Sequence, residues 1–307
     1  MVEQPAKEDV YSPRSYLVRH QTTYTYSDDV TSCYERGCLQ PRDTVSQTVR
    51  SSDIEVSPEP DLVTEHRDFF GNFSHYVEVR TPHRELVVTK TSRVDVAWPR
   101  PDLDRLNETT VAQARDLVAA QADPVERTTY LLPSPLVDVV PQVRDYAQTY
   151  LPDDAPLGDA LVALTRGIFA DFRYAKGATS VKTTLPELLE QREGVCQDFA
   201  HLAAGCLRSV GLPGRYVSGY LETFPPPGKK KLQGSDATHA WTAAMVPGGG
   251  WIDLDPTNDH LVDSRYVVTA WGRDFRDVSP LNGVIYTEAE SSELKVAVDV
   301  LRQDGPG

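Results

Sequence analysis

The segment 194–255 constrains the fold most, because a helical pattern changes there into a strand pattern. Apolar residues recur at helical spacing along 196–210, and Gly211 ends that pattern. Three strand-like segments follow, at 215–223, 239–246 and 251–255. The glycine-rich turn 247–250 joins the last two as a hairpin. A helix followed by antiparallel strands predicts an α+β unit.

The region 15–100 has a different pattern, rich in Val, Thr and Tyr and interrupted by turn residues. Extended segments are predicted at 16–26, 47–56, 74–80 and 85–96. The turn residues Ser27-Asp28-Asp29 are predicted to end the first of them. Short strands at this spacing predict a β-sandwich-like domain or a small barrel.

A chain of 307 residues is long for one core and favours two domains. The composition shifts after Trp98, and proline and aspartate mark a linker there. The predicted division is an N-terminal tail 1–14, a β-rich domain 15–100, a linker with a helix 101–140, a catalytic core 141–290 and a C-terminal extension 291–307.

Charge and composition narrow the classes of partner. The formal net charge is −14, whereas phosphate binding needs a basic surface, so we expect neither nucleic acid nor an anionic membrane as a partner. No apolar run approaches the roughly 20 residues that span a bilayer, and residues 1–14 lack a signal-peptide core. Four cysteines do not make a disulfide framework, so a cytoplasmic location is expected.

Cys196 differs from the other cysteines in its position on the predicted helix. Cys206 falls on the apolar stripe, which is typical of a small buried side chain. Cys196 lies in the first turn, after Gly194-Val195, where unpaired amides and the helix dipole favour an anion. These conditions favour a thiolate, although a plain cysteine at a helix start is an equally frequent reading of this feature alone.

A thiol nucleophile needs a base, and the base needs a group that orients it. His239 begins one strand of the predicted hairpin and Asp255 ends the other, so the hairpin brings the two strands within side-chain reach. Asp253 shares a face with Asp255 and is the alternative third member. Trp241 lies on the same face as His239 and is predicted to line the site. No spacing typical of a metal site occurs, and no cofactor is indicated.

These residues also carry a resemblance to the bacterial transglutaminase-like superfamily. The run 194–202 around Cys196 resembles its nucleophile motif, His239-Ala240-Trp241 its histidine motif, and Asp255-Pro256-Thr257-Asn258 its aspartate motif. More loosely, parts of the first domain resemble the family's β-rich N-terminal domain, so the resemblance extends over about 15–286. Arg265-Tyr266 departs from the family pattern, and we expect that departure to affect only local packing.

The resemblance implies a papain-like core in which Cys196 is the nucleophile, His239 the base and Asp255 the orienting residue. The implied substrate is a peptide or protein carboxamide, attacked to give a thioester. The amide of Cys196 is one expected oxyanion donor. Tyr174, Gln197 and Gln191 are candidates for the second, and Trp241, Tyr174 and Gln197 are the predicted substrate-binding residues.

Three functions are compatible with this reading. Water resolves the thioester in an amidase or cysteine peptidase, an amine resolves it in a transglutaminase, and a binding domain keeps the fold without catalysis. The complete triad argues against the last. Hydrolysis is favoured because the residues around the predicted site are polar, and amine transfer requires exclusion of water. The proline- and lysine-rich stretch 225–231 is a candidate lid.

Overall fold

The computed structural model of the protein describes residues 9–223, 234 and 238–303. The candidate lid 225–231 lies outside the described residues. Within the described ranges, no helix is long and apolar enough to cross a membrane.

The described elements form two large sheets, a small two-stranded sheet and a set of helices. The first strands are β1 (Arg14–Gly37), β2 (Gln47–Ser57), β3 (Leu62–Arg67), β4 (Phe73–Val79) and β5 (His83–Val96). Then follow α1 (Leu103–Leu106), α2 (Val111–Gln121), α3 (Pro124–Leu131), α4 (Pro141–Tyr150), α5 (Leu157–Asp171), β6 (Arg173–Tyr174), α6 (Leu185–Gln191), β7 (Glu193–Gly194) and α7 (Cys196–Ser209). The last elements are β8 (Gly214–Leu221), β9 (Thr238–Met245), β10 (Trp251–Asp255), β11 (His260–Leu261), β12 (Tyr266–Gly272), a 3-10 turn (Phe275–Asp277), β13 (Asn282–Thr287) and β14 (Ser292–Gln303).

A seven-stranded antiparallel sheet is built around the long central strand β1. One edge of β1 pairs first with β5 and then with β4, and the other edge pairs first with β14 and then with β13. The register shifts between Thr25 and Val30, where the sequence predicted a turn that ends the strand. The strand instead continues through an irregularity, which bends it and lets the sheet curve around a buried apolar cluster.

The end of the described chain returns to this first sheet. β13 and β14 pair with β1 over residues 30–36 and 15–26 respectively. The sequence division placed 282–290 in the catalytic core and treated 291–307 as an extension. The structure differs because β1 offers a free edge of matching length, and long-range pairing of this kind leaves no local signal in the sequence.

The core consists of a helical layer on one face of a five-stranded antiparallel sheet, in the order β11-β10-β9-β8-β12. Apolar side chains of α5 at the predicted spacing, Leu161, Leu164 and Ile168, are buried against the stripe of α7 that contains Leu202 and Cys206. α7 packs on β8 and β9. This α+β architecture, with a β-rich first domain, is the predicted fold class.

Specific polar contacts fix the first sheet to the core. The Gln47 side chain bonds both the amide and the carbonyl of Val268, at 2.8 and 2.9 Å. Asn72 bonds the amide and carbonyl of Trp271 in the same way, at 3.0 and 2.9 Å. Each side chain extends the free edge of β12 as a further strand would. The first domain is therefore held in a defined position beside the catalytic core.

Candidate active site

The start of α7 is held in place by Asp198, three residues after its N-cap. The carboxylate of Asp198 accepts the amide of Val195 at 2.8 Å and the hydroxyl of Thr179 at 2.6 Å. Burial raises the pKa of Asp198, whereas these two hydrogen bonds oppose that effect. The capping satisfies one amide and leaves those of the first turn, at Cys196, available for an anion. Cys196 itself is partly exposed.

His239 lies near the start of β9, and its imidazole contacts both Asp255 and Cys196. The distance from His239 Nε2 to Asp255 Oδ2 is 2.7 Å, and the imidazole also interacts with the side chain of Cys196. The His239 side chain is only 10% exposed. The structure thus brings together the three residues that the sequence predicted as catalytic.

Asp255 is fully buried and accepts four hydrogen bonds. Besides His239, its Oδ2 accepts from Asn258 Nδ2 at 2.7 Å and from the hydroxyl of Tyr266, while its Oδ1 accepts the amide of Thr257 at 2.9 Å. Burial would raise the pKa of Asp255. The charge of His239 and the hydrogen bonds outweigh it, so the pKa lies below the ordinary value of 3.8.

The charges around His239 favour its protonated form. Burial by itself lowers the pKa of His239. The carboxylate of Asp255, and to a smaller extent Cys196, reverse that effect and raise the pKa above 6.5. The surroundings of His239 thus favour the protonated imidazole, which lies beside the sulfur of Cys196 at the start of α7.

The other cysteines lie in surroundings that favour the neutral thiol. Burial raises the pKa of Cys33 to about 11 and that of Cys38 to about 12. Cys206 is fully buried among apolar side chains of the helical layer, and its pKa is raised further. Of the four cysteines, Cys196 is the one that is not buried.

Asp253, the alternative candidate for the residue that orients His239, contacts other side chains instead. Its Oδ1 accepts the indole Nε1 of Trp241 at 2.9 Å, and its Oδ2 lies 4.0 Å from Nη2 of Arg215. No hydrogen bond between Asp253 and His239 occurs among the described residues. Of the two aspartates, Asp255 is the one placed to orient the imidazole.

The three predicted substrate-binding residues differ in their positions. Trp241 is 0% exposed and stacks against the inner face of His239, with ring centroids 6.2 Å apart. Trp241, predicted to line the site, therefore contacts His239 from within the core and has no exposed surface of its own. Tyr174 is 49% exposed. Its pKa is raised mainly by partial burial and, to a smaller extent, by the nearby Cys196. Gln197 is partly exposed beside Cys196.

Tyr266 is the residue of the site that sequence reasoning missed. Its position was predicted to influence only local packing, yet its hydroxyl contacts Asp255 Oδ2 and lies 2.7 Å from Nε2 of His260. The signal available was the departure of Arg265-Tyr266 from the family pattern. Asn258, quoted within the aspartate motif, also contacts Asp255.

Among the described residues, no group of three or more His, Cys, Asp or Glu side chains is arranged to hold a metal ion. The thiol, imidazole and carboxylate that meet here are the groups that nucleophilic catalysis without a metal uses.

Comparisons with known proteins show the family to which the chain is similar. Residues 16–95 match the bacterial transglutaminase-like N-terminal region, and residues 144–256 match the transglutaminase-like superfamily. An uncharacterized protein of Mycobacterium tuberculosis is 44% identical over 298 residues, covering 94% of this chain and 93% of its own length. One from Mycobacterium leprae is 33% identical over 93% of this chain and 98% of its own.

Two further similarities are narrower in what they show. A crystal structure of a candidate cysteine protease from Cytophaga hutchinsonii covers 96% of this chain and 93% of its own with a TM-score of 0.76. At 22% identity it shows the fold alone. A protein-glutamine gamma-glutamyltransferase of Pseudomonas aeruginosa is 37% identical over 71 residues, which are 23% of this chain and 11% of that protein.

Proposed function

Because this chain belongs to the transglutaminase-like superfamily, we propose that it is a cysteine enzyme that cleaves carboxamide or peptide bonds through a thioester, with water as the acceptor. The observation that carries the proposal is the 2.7 Å contact between His239 and Asp255 beside Cys196 at the start of α7. A thiol, a base and an orienting acid in this order of contact are what thioester chemistry requires.

The reaction begins with attack of the Cys196 thiolate on the carbonyl carbon of the carboxamide. The oxyanion that forms accepts the amide of Cys196. As the C–N bond breaks, the imidazolium of His239 gives its proton to the leaving ammonia or amine. The neutral imidazole then takes a proton from water, whose oxygen attacks the thioester carbon. Collapse releases the carboxylic acid and restores the thiolate and the imidazolium.

Hydrolysis is supported by what surrounds Cys196. Amine transfer needs walls that keep water from the thioester. Trp241, the aromatic residue expected to form one, is buried behind His239, and half-exposed Tyr174 lies beside the thiol. The polar groups of Asn258 and Thr257 border Asp255. Water is thus expected to reach the acyl-enzyme.

The test is mass spectrometry of the products from a glutamine-containing peptide, with and without a primary amine at millimolar concentration. We expect the deamidated or cleaved peptide to dominate in both reactions. A product pool dominated by the amide adduct would instead identify a transglutaminase. Absence of any product, together with slow alkylation of Cys196 by iodoacetamide, would contradict the enzymatic proposal altogether.

A further inference from the structure

A cavity of about 340 Å³ lies between the first sheet and the catalytic core, beside the proposed nucleophile. Its core side is lined by Gln197 and Thr238, the residues that follow Cys196 and precede His239 in the sequence. Phe275, a third lining residue, packs with Cys196 against one buried cluster. The lining of the cavity therefore includes the sequence neighbours of both Cys196 and His239.

Two strands of the first sheet form one wall of this cavity. Tyr24 pairs with Leu294 and Thr22 pairs with Val296, so all four side chains lie on one face of the β1–β14 ladder. Leu294 is 56% exposed and Val296 is 44% exposed, although both are apolar. Leu281, from the segment before β13, adds a further apolar side chain to the lining. An apolar surface is thus left open beside the site.

The cavity carries no formal charge at neutral pH on its described lining, although the whole chain has a net charge of −14. His20 is the one ionisable imidazole there, and burial lowers its pKa to about 4. Both of its ring nitrogens are also engaged, with Tyr220 and Thr22 at 3.0 Å each. A charged side chain would lose its hydration in this cavity without gaining a partner.

The end of the cavity nearest the nucleophile is polar in a different way. Gln197 and Thr238 make no side-chain hydrogen bond within the part of the chain that the structure describes. Their amide and hydroxyl groups are therefore available to a peptide main chain. An apolar cleft with a few polar groups near the reacting atoms is the usual construction of a binding site for one side chain of a peptide.

We propose that this cleft is a specificity subsite that binds an uncharged apolar side chain, aliphatic or aromatic, flanking the reactive carboxamide of a peptide substrate. The inference rests on the proposed function, because it assigns the substrate class of that same site. It gives the first domain a direct role in substrate selection, through Leu294 and Val296.

The test uses peptide electrophiles in which a chloroacetamide replaces the reactive carboxamide and the flanking residue is Leu, Phe, Asp or Lys. The rate of Cys196 alkylation by each peptide, relative to iodoacetamide, is measured for the full chain, for Leu294→Asp and for Leu301→Asp. Leu301 is a matched control, because it lies on the same strand, is 42% exposed and points to the opposite face of β14. Val296→Asp serves as a second variant should Leu294→Asp fail to fold.

We expect the Leu and Phe peptides to react about 10-fold faster than the Asp peptide, the range that apolar pockets reach for such differences. Leu294→Asp should remove that preference and favour the Lys peptide, whereas Leu301→Asp should retain it. Equal rates for all four peptides, or a preference unchanged in Leu294→Asp, would overturn the subsite. Since alkylation needs no turnover, a preference seen without hydrolysis of any carboxamide would contradict the proposed function and leave the subsite standing.

Discussion

Strand β10 carries two buried aspartates, two residues apart, and the chain uses them in opposite ways. Asp253, in the middle of the strand, accepts one indole N–H and faces Arg215, and burial raises its pKa. Asp255, at the end of the strand, accepts four hydrogen bonds and has a lowered pKa. Two aspartates that are both buried thus differ in their favoured form: the surroundings of Asp255 stabilise the carboxylate, whereas burial of Asp253 opposes its ionisation.

The difference shows what the end of a strand provides. In mid-strand, neighbouring backbone groups are used by the sheet, and only side chains can reach a carboxylate. After Asp255 the chain turns, and the amide of Thr257 and the side chain of Asn258 become available to it. Tyr266 completes the set from β12. Hydrogen bonds to the charged form of Asp255 compensate for the cost of burying it. The sequence alone does not show which of the two aspartates receives these hydrogen bonds.

The largest expected effect comes from removing the imidazole of His239. His239→Ala should lower kcat/KM for a glutamine peptide by about 10⁴-fold, because the proton transfers lose their donor and acceptor. The folded state should persist, as judged by circular dichroism. Activity within tenfold of the unmodified protein would show that another base serves Cys196.

The two aspartates can be compared directly with one isosteric change each. Asp255→Asn should lower kcat/KM by about 10²-fold, since the imidazole loses its charged partner but keeps its position. Asp253→Asn should change it by less than about threefold, because it lies under Trp241 and has no contact with His239. If Asp253→Asn is the damaging change and Asp255→Asn is silent, the assignment of the two residues is reversed.

The pH dependence of the same pair of variants gives a finer test. Asp255 is the largest of the influences that raise the pKa of His239, and the imidazolium is lost as the pH rises through that value. Removing the carboxylate lowers the pKa of His239, so the alkaline limb of kcat/KM should move to lower pH in Asp255→Asn. In Asp253→Asn the limb should stay where it is. An unmoved limb in both variants would mean that a group other than His239 sets it.

A smaller loss than that of Asp255→Asn is expected at Tyr266, the hydroxyl that the sequence did not identify. Tyr266→Phe removes one of four donors to Asp255, and one hydrogen bond contributes about 1 kcal/mol, so kcat/KM should fall by about fivefold. Tyr16→Phe is the matched control, because that buried hydroxyl contacts Glu222 and lies outside the site. Equal losses in the two variants would indicate a general effect of removing buried hydroxyls.

Local sequence signals predicted the helix start at Cys196, the hairpin and the contact between His239 and Asp255. These depend on glycine, turn residues and alternation, all within 60 residues. The orientation of Trp241 and the role of Tyr266 were not predicted, because each depends on which side chains meet across strands that are distant in sequence. The partners of β1 were missed for the same reason.

The placement of β13 and β14 has a consequence for how the protein is made. Both strands pair with β1, yet the whole core, residues 103–277, is synthesised between them and β1. During synthesis from the N-terminus, one edge of β1 therefore stays unpaired until the core has left the ribosome. An open edge of this length is prone to pair with another chain, so early folding of the core shortens a period of aggregation risk. The β1–β14 wall of the cavity can form only after β14 has been synthesised and has paired with β1.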